Sequence, residues 1–523
     1  MRVVFISAEC EPWAKTGGLG DVVDALARAL GRSGSIEGRA AGDERAAGAS
    51  EDAVDGPVEV FLPRYRGMEI PAEARSSPIR VPDPWAPGGT TDVSIVEFKA
   101  RGYRVRLVDH APAFDRDGLY GDAGGDYPDN GWRFGLLCRA AIEALRADAR
   151  PLDVLHLHDW QAMPAAVLRD CAYRDDPLVA GTAIVATIHN LAYQGWLSRF
   201  QASGLAFDRE LDRVLDPAAD GILLLRQGVE RAELVNTVSA GYAREILTPA
   251  FGMGMDLALA ALGDRFGGIL NGLDTMAWDP ATDPALPAPY SRSDMAGKAA
   301  CRAALLAELG FDPGDKGPVL GMIGRLDPQK GFDLLAGAAP GLVETGARIV
   351  VLGTGDHGLV RDLRSLAASR PRSVAVVETF DRGLARRIYA GADLYLMPSR
   401  FEPCGQGQMI AMRYGTPPIV HRTGGLADTV ADVDEVPAKG AGFVFDELTP
   451  GSLAEACRRA IEHRARGGPQ WAALTDRGMS VDWSWESGPA YEYAEAYRRA
   501  IQLRRQRRPS QHPAFMSSPR VTD

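Results

Sequence analysis

Short, nearly continuous apolar runs alternate along the chain with longer segments whose apolar positions suit one face of a helix. In the first half these runs begin at Val3, Val58, Val154 and Ala183, with a helical pattern over 22–30 after the first and helical segments expected between the others. Apolar strands that alternate with helices are typical of parallel sheets covered on both faces. The first half is therefore predicted to form a doubly wound α/β domain.

The same alternation restarts in the second half at Val319 and continues through the apolar runs 347–352 and 394–397. Between the halves, residues 278–289 contain four prolines and show neither helical nor strand periodicity, as expected for an interdomain connection. A length of 523 residues also fits two large domains. The predicted organisation is a first domain over 1–270 with a disordered insertion over 33–56, a second domain over 271–488, a helix over 489–504 that returns to the first domain, and a disordered tail over 505–523.

Composition narrows the class of protein. Hydrophobic residues make up 46% and charged residues 24% of the chain, which is ordinary for a soluble globular protein. The net charge of -11 repels phosphate backbones and anionic lipids, so nucleic acid and membranes are poor candidate partners. No apolar run approaches the roughly 18 residues of a membrane span. Six dispersed cysteines without a CxxC pair indicate reduced thiols, and we expect a cytoplasmic protein.

A glycine-rich loop follows the first predicted strand, with the sequence Lys-Thr-Gly-Gly-Leu-Gly-Asp over 15–21. Adjacent glycines allow backbone N–H groups to approach an anion, and Lys15 adds a full positive charge. A strand-to-helix turn needs glycine for its own geometry, so the phosphate-binding and purely structural interpretations both stay open. A similar sequence over 423–428 predicts a second glycine loop that faces the same ligand, unless the recurrence is due to chance.

Two loops of the second half follow predicted strands at the edge where open α/β sheets bind ligands. Residues 324–331 place Arg325 and Lys330 on one loop, where two cations can clamp a diphosphate, although a solvated loop has the same composition. Residues 400–408 contain Glu402, which can orient a hydroxyl or stabilise positive charge on a sugar carbon. A structural role for this glutamate is equally compatible with its position.

Histidines end two strands of the first half. His156 and His158 fall on the same side of one strand, a spacing that also occurs in metal sites, but no third ligand cluster accompanies them and no metal is predicted. Residues 189–195 collect His189, Asn190 and other hydrogen-bonding side chains of the kind that bind sugar hydroxyls. A lone histidine at such a place is more often a core residue.

Taken together, six motifs resemble those of the bacterial glycogen synthase and plant starch synthase family. Each is weak alone, but they occur in the family's order, and the resemblance runs from about residue 3 to residue 497. The motifs occupy residues 15–22, 158–160, 189–195, 271–274, 324–331 and 398–405.

The resemblance implies a GT-B fold, in which two Rossmann-like domains flank a cleft. It also implies a retaining glucosyltransferase that moves glucose from ADP-glucose to the non-reducing end of an α-1,4-glucan such as glycogen or a maltooligosaccharide, without cofactor or metal. The alternatives are a GT-B enzyme with another donor or acceptor, and a catalytically silent glucan-binding protein. Sucrose-synthase-type enzymes carry Glu-x7-Glu, but Ile410 stands at the second position here.

The resemblance also implies roles for individual residues. It assigns catalysis to Glu402, His189 and Asp159. The residues that it assigns to substrate binding are Lys15, Gly17, Gly18, Asp21, Asn190, Asn271, Arg325, Lys330, Phe380, Cys404 and Gly405. Two positions depart from the family pattern: Gly407 stands where relatives often have threonine, and Phe380 where many have a tyrosine that stacks on adenine.

Overall fold

The computed structural model describes residues 1–32, 58–122, 124–207, 210–215 and 220–507. The insertion predicted over 33–56 lies outside these residues, as does the tail from residue 508. Within the described part of the chain, no helix combines the length and apolarity needed to cross a membrane.

The first half of the described chain forms a nine-stranded sheet with the order β13-β12-β9-β8-β1-β2-β5-β4-β3 and two small two-stranded sheets, β6-β7 and β10-β11. Its strands are β1 Val3–Ile6, β2 Val58–Pro63, β3 Arg75–Pro82, β4 Thr90–Ala100, β5 Tyr103–Asp109, β6 Gly121–Asp122, β7 Gly125–Asp126, β8 Val154–His158, β9 Ala183–Ile188, β10 Trp196–Ser198, β11 Gly221–Leu223, β12 Leu234–Thr237 and β13 Phe266–Gly268. The central strand β1 pairs in parallel with β2 and β8.

Helices cover this sheet and are α1 Gly18–Arg32, α2 Ala111–Phe114, α3 Asn130–Asp148, α4 Asp159–Ala162, α5 Pro164–Asp170, α6 Arg199–Ala202, α7 Leu211–Val214, α8 Leu224–Arg231, α9 Ala240–Glu245 and α10 Asp256–Ala260. Buried side chains form one hydrophobic cluster on each face of β1, with Val4 and Ile6 on one side and Val3 and Phe5 on the other. Strand alternation requires this division, and it confirms the doubly wound arrangement.

The expectation of helices alone between β2 and β8 is wrong for residues 75–109. Here β3 and β4 pair antiparallel, and β4 pairs antiparallel with β5. In β4 the half-buried polar residues Ser94 and Glu97 interrupt the buried positions Val93, Ile95, Val96 and Phe98. Because polar residues are interspersed, these strands lack the continuous apolar run that marks a buried parallel strand.

The second half forms a six-stranded parallel sheet with the order β16-β15-β14-β17-β18-β19 within the described residues. Its strands are β14 Val319–Ile323, β15 Arg348–Leu352, β16 Val374–Val377, β17 Leu394–Met397, β18 Pro418–His421 and β19 Phe443–Phe445. The helices are α11 Ala296–Glu308, α12 Phe332–Glu344, α13 His357–Ser369, α14 Arg382–Gly391, α15 Gly407–Arg413, α16 Gly424–Thr429, α17 Pro450–Arg466, α18 Gly468–Ser480 and α19 Pro489–Arg507.

The chain crosses between the two halves at two neighbouring places. Leu273 N donates to Trp483 O at 2.6 Å, so the outgoing and returning segments lie side by side. Helix α19 then packs on the first sheet, where Tyr493 and Tyr497 join its hydrophobic core. The helix is described as far as Arg507, three residues beyond the predicted end at 504, and Arg507 Nη1 donates to Glu233 Oε1 at 3.3 Å. The predicted domain boundary near residue 270 falls beside this double crossing.

Candidate active site

Loops that follow strands of both sheets meet across a cleft. Arg325, which follows β14, donates from Nη1 to the hydroxyl of Tyr193 at 3.3 Å; Tyr193 follows β9. Arg382 at the start of α14 donates to Glu11 Oε1 at 2.6 Å. The cleft therefore lies at the carboxyl ends of the parallel strands of both sheets, which is where the motif residues were expected to gather.

The first glycine loop is held by a residue that the sequence analysis did not identify, Glu9. Its buried carboxylate accepts hydrogen bonds from Thr16 N at 2.7 Å, Thr16 Oγ1 at 2.6 Å and Gly17 N at 3.3 Å. A Cβ added at Gly17 or Gly18 would meet no atom within 4 Å. Glu9 thus shapes the loop and occupies two of its backbone donors, while the space above the glycines stays open.

Lys15 and Asp21 form an ion pair at opposite ends of this loop, with Lys15 Nζ 2.5 Å from Asp21 Oδ1. Burial raises the pKa of Asp21, and the positive charge of Lys15 opposes that shift. Both side chains keep partial exposure to the cleft. The pair therefore presents a positive charge beside the open glycines, partly balanced by Asp21.

Asp159 supports the loop over 189–195 through the backbone. It adopts a left-handed φ of 55° and accepts a hydrogen bond from His189 N at 2.7 Å. Burial raises the pKa of its carboxyl to about 7. The side chain of Asn190 accepts from Ala192 N at 3.0 Å, so it too shapes this loop.

His189 is also held through its ring. His158 Nδ1 and His189 Nε2 lie 3.0 Å apart, and burial lowers the pKa of His189 to about 3. His189 is half-buried at the cleft, and it is neutral at neutral pH because its pKa lies far below 7.

Glu402 lies on the other side of the cleft, 5% exposed. Its Oε2 accepts hydrogen bonds from Lys330 Nζ at 2.6 Å and from Ser399 Oγ at 2.9 Å. Arg325, from the same loop as Lys330, keeps half of its side chain exposed and lies 3.4 Å from Asp327. The structure therefore brings together Arg325, Lys330 and Glu402, and it adds Ser399, which the sequence analysis missed.

The backbone around residue 405 requires glycine. Gly405 has a φ of 71°, and a Cβ there would lie 2.5 Å from Gln408 Oε1. A Cβ on Gly407 would lie 2.9 Å from the hydroxyl of Tyr395. The departure at position 407 thus has a physical reason, because the Tyr395 hydroxyl takes the space that a threonine side chain needs.

Three further residues assigned by resemblance occupy different environments. Cys404 packs against Val238 and Met409 in an apolar cluster, and burial raises its thiol pKa to about 12. Asn271 is buried with an Oδ1 that finds no partner in the described part of the chain. Phe380 is 72% exposed, with the Arg382 guanidinium 5.8 Å from its ring centre.

The expectation that the second glycine loop faces a ligand is wrong. Gly424 and Gly425 are buried, and a Cβ on Gly424 would lie 2.1 Å from the carbonyl oxygen of Glu402. Gly425 N donates to that same oxygen at 3.0 Å. These glycines permit close backbone packing, so the loop supports the Glu402 segment from behind.

The described residues contain no group of three or more histidine, cysteine, aspartate or glutamate side chains arranged to hold a metal ion. The histidine pair considered at the strand end is engaged elsewhere: His156 contacts Thr187 and Tyr497, and His158 contacts His189.

Comparison with known proteins gives consistent matches over both halves. Residues 2–36 and 52–261 match the family model for the starch synthase catalytic domain, and residues 317–463 match that for glycosyl transferases group 1. A glycogen synthase of Anaeromyxobacter dehalogenans is 42% identical, covering 95% of this chain and 99% of the relative. Glycogen synthase 2 of Geobacter sulfurreducens is 39% identical, covering 97% and 100%.

Among solved structures, the catalytic domain of starch synthase IV from Arabidopsis thaliana, bound to ADP and acarbose, superposes with a TM-score of 0.85. It is 33% identical, and the match covers 96% of this chain and 99% of that one. Sucrose-phosphate synthase from Thermosynechococcus elongatus, 17% identical with a TM-score of 0.58, shares the fold alone. These comparisons confirm the two-domain GT-B architecture.

Proposed function

Because the chain belongs to the glycogen synthase and starch synthase family and is a glucosyltransferase, we propose that it transfers glucose from ADP-glucose to the non-reducing end of an α-1,4-glucan with retention of configuration. The observation that carries the proposal is the contact between two loops of opposite halves. Tyr193, on the loop of His189, accepts from Arg325, which shares a loop with Lys330, the partner of Glu402. The acceptor is glycogen or a maltooligosaccharide, and the proposed location is the cytoplasm.

The diphosphate of the donor binds to cations from both sides of the cleft. Lys15 approaches from the first half, and Arg325 and Lys330 from the second, with backbone N–H groups near Gly18 and Gly405. In the structure each cation contacts an acid or hydroxyl within 3.4 Å. A bound diphosphate exchanges these contacts for stronger charge-assisted hydrogen bonds. These cations then stabilise the negative charge that develops on the departing ADP.

The transferred glucose lies between Glu402 and the 189–190 loop. In the reaction the bond from C1 to the diphosphate oxygen breaks and a bond from C1 to the acceptor oxygen forms. The proton of the acceptor hydroxyl leaves with ADP, so charge balances. Retention places the new bond on the face of C1 from which ADP departs. The carboxylate of Glu402 stabilises the positive charge that develops on the sugar, and His189 and Asn190 bind its hydroxyls.

Asp159 and Cys404 act through their neighbours in this proposal. Asp159 holds the backbone that carries His189, and Cys404 packs beneath the loop that carries Gly405. Phe380 offers an exposed ring for the nucleotide base, and stacking on it does not require the hydroxyl of a tyrosine. This makes the preference for adenine depend on contacts other than a phenol hydrogen bond.

A transfer assay tests the proposal. Purified protein is incubated with maltooligosaccharide and radiolabelled ADP-glucose or UDP-glucose in parallel, and chain extension and the configuration of the new linkage are measured. We expect α-1,4 extension that is faster with ADP-glucose and is lost in Glu402→Gln. Equal or faster transfer from UDP-glucose would reject the donor assignment. Glucan binding without transfer from either sugar nucleotide would favour the silent binding protein.

A further inference from the structure

Three histidine rings lie in a row from the core of the first domain to the cleft. The ring centres of His156 and His158 are 4.0 Å apart, and those of His158 and His189 are 5.3 Å apart. His156 and His158 are fully buried, whereas His189 is half-buried. The hydrogen bonds along this row determine which ring nitrogen of His189 carries its proton.

The proton of His156 is fixed by its neighbours. Thr187 Oγ1 donates its hydrogen to Asn236 Oδ1 at 2.9 Å. The threonine oxygen must therefore accept at its 2.7 Å contact with His156 Nε2. His156 thus carries its proton on Nε2, and its Nδ1 accepts from the Tyr497 hydroxyl at 2.9 Å. Both nitrogens of His156 are satisfied without His158.

His158 has one satisfied nitrogen and one without a partner. Its Nδ1 lies 3.0 Å from His189 Nε2, and its Nε2 is buried without a hydrogen-bond partner in the part of the chain that the structure describes. A buried N–H without an acceptor is rarer than a buried acceptor without a donor. The proton of His158 is therefore on Nδ1, from which it donates to His189 Nε2.

This leaves one arrangement for His189. Burial lowers the pKa of both rings, that of His189 to about 3, so each ring carries a single proton at neutral pH. Because Nε2 of His189 accepts from His158, the proton of His189 stands on Nδ1. No side chain or backbone group of the described chain hydrogen-bonds to that atom, and the residue is partly open to the cleft.

We propose that His158 is a positioning residue that keeps His189 in the tautomer with its proton on Nδ1, so that His189 presents an N–H donor to a hydroxyl of the bound sugar. The catalytic consequence rests on the proposed function, whereas the tautomer itself does not. Without His158 the neutral ring of His189 samples both tautomers, and a fraction of the molecules present a lone pair where the substrate needs a donor.

The tautomer is measured by NMR on the ligand-free full chain labelled with ¹⁵N-histidine. Long-range ¹H–¹⁵N correlations distinguish a protonated from an unprotonated ring nitrogen, and the His189 signals are assigned by their loss in His189→Gln. We expect Nδ1 protonated and Nε2 unprotonated. A wild-type His189 with its proton on Nε2, or a doubly protonated ring at neutral pH, would overturn the proposal whatever the enzymatic activity.

Variants link the tautomer to turnover. His158→Phe keeps a ring of similar size but has no donor, so we expect mixed His189 tautomers and a kcat that falls on the order of tenfold, less than the loss of a whole donor costs. His158→Asn places an amide N–H near the former Nδ1, and we expect it to restore the Nδ1–H tautomer and most of the kcat. An unchanged tautomer in folded His158→Phe would contradict the proposal.

Tyr497→Phe is the matched control, because it removes one hydrogen bond from the same buried row without touching the contact between His158 and His189. We expect the His189 signals to stay as in the wild type. A tautomer change as large as in His158→Phe would show a general packing effect and overturn the proposal. If His158→Phe does not fold, the proposal is tested by the His189 tautomer in the wild type and by the tautomer and kcat of His158→Asn. If wild-type His189 carries its proton on Nδ1 but the protein transfers glucose from neither sugar nucleotide, the proposed function is rejected and the tautomer assignment stands.

Discussion

Glu245 at the end of helix α9 accepts a hydrogen bond on Oε1 from Gly424 N, 2.7 Å away at the start of helix α16 on the other side of the cleft. The relationship is reciprocal, because Asp428 near the end of α16 accepts from Gly241 N near the start of α9 at 2.5 Å. Each carboxylate thus caps the positive end of the opposite helix. This pair of contacts, which we term the clasp, joins the two domains directly behind the Glu402 loop.

The double variant Glu245→Gln, Asp428→Asn is expected to open the cleft. Each neutral amide keeps its size but loses a charge-assisted hydrogen bond, which contributes about 1.5–3 kcal/mol. Small-angle scattering of the ligand-free protein should give a larger radius of gyration. Glu230→Gln, which neutralises an exposed glutamate paired with Arg226 on helix α8, is the control. A profile identical to the wild type in the double variant would show that the clasp does not hold the domains.

Ligand binding is expected to draw the two domains closer together. Because a diphosphate bridges Lys15 on the first domain and Arg325 on the second in the proposed site, ADP with an acceptor oligosaccharide is expected to compact the particle. Arg325→Ala should compact less, whereas Tyr193→Phe removes only the partner hydroxyl and serves as the control. Scattering profiles that do not change on adding saturating ligands to the wild type would argue that the site is already assembled.

Glu402→Gln is expected to lower kcat by roughly 100-fold or more, because an amide cannot stabilise developing positive charge on the sugar. The side chain keeps its size, so the thermal midpoint should change little. Ser399→Ala removes one hydrogen bond to Glu402 but leaves the carboxylate paired with Lys330, and it should reduce kcat far less. Steady-state kinetics and calorimetry on the three proteins measure both effects. A Glu402→Gln variant with near-normal turnover would exclude the catalytic role.

Asp159 should make stability depend on pH. Burial raises its pKa to about 7 in the folded protein, against about 3.9 when unfolded, so the folded state holds a proton that the unfolded state releases between these values. Stability therefore falls as pH rises from about 4 to about 7, by up to roughly 4 kcal/mol. Asp159→Asn has no carboxyl to ionise and so does not lose this stability. The difference between its thermal midpoint and that of the wild type should therefore increase from pH 5 to pH 8.

The exposed Asp117 provides the control for this measurement, since Asp117→Asn removes an aspartate that is largely in solvent. Its midpoint relative to wild type should stay nearly constant over the same pH range. A difference between Asp159→Asn and wild type that does not change with pH would mean that the Asp159 carboxyl titrates as it does in water.

Gly407→Thr introduces the residue that relatives often carry, and we expect it to destabilise this chain. The new side chain meets the buried Tyr395 hydroxyl at 2.9 Å, and overpacking of this kind costs about 1–3 kcal/mol. Adding Tyr395→Phe removes the hydroxyl and should recover part of the thermal midpoint. A Gly407→Thr variant as stable as the wild type, with no gain from the second change, would contradict the packing explanation.

Local sequence pattern was sufficient for much of the fold and for the loops that carry the candidate site residues. The apolar runs of β1, β8, β9, β14 and β17 are continuous because both faces of those strands are buried. Residues that follow such strands meet at one sheet edge, so Lys15 and His189 were expected together in the first half and Arg325 and Glu402 together in the second. That the two edges share a cleft was implied by the family resemblance. The strands over 75–109 escaped prediction because polar residues interrupt their apolar runs.

The sequence by itself thus determined the two doubly wound halves, the sheet edges that carry the candidate site and the charged groups placed there. Only the tertiary structure decided which polar groups bond to one another. Glu9 holds the first glycine loop, the second glycine loop packs behind Glu402, and His158 contacts His189. These relationships depend on distances of about 3 Å between segments far apart in the chain. Local periodicity carries no information about such distances, because they are set by how the packed layers come together.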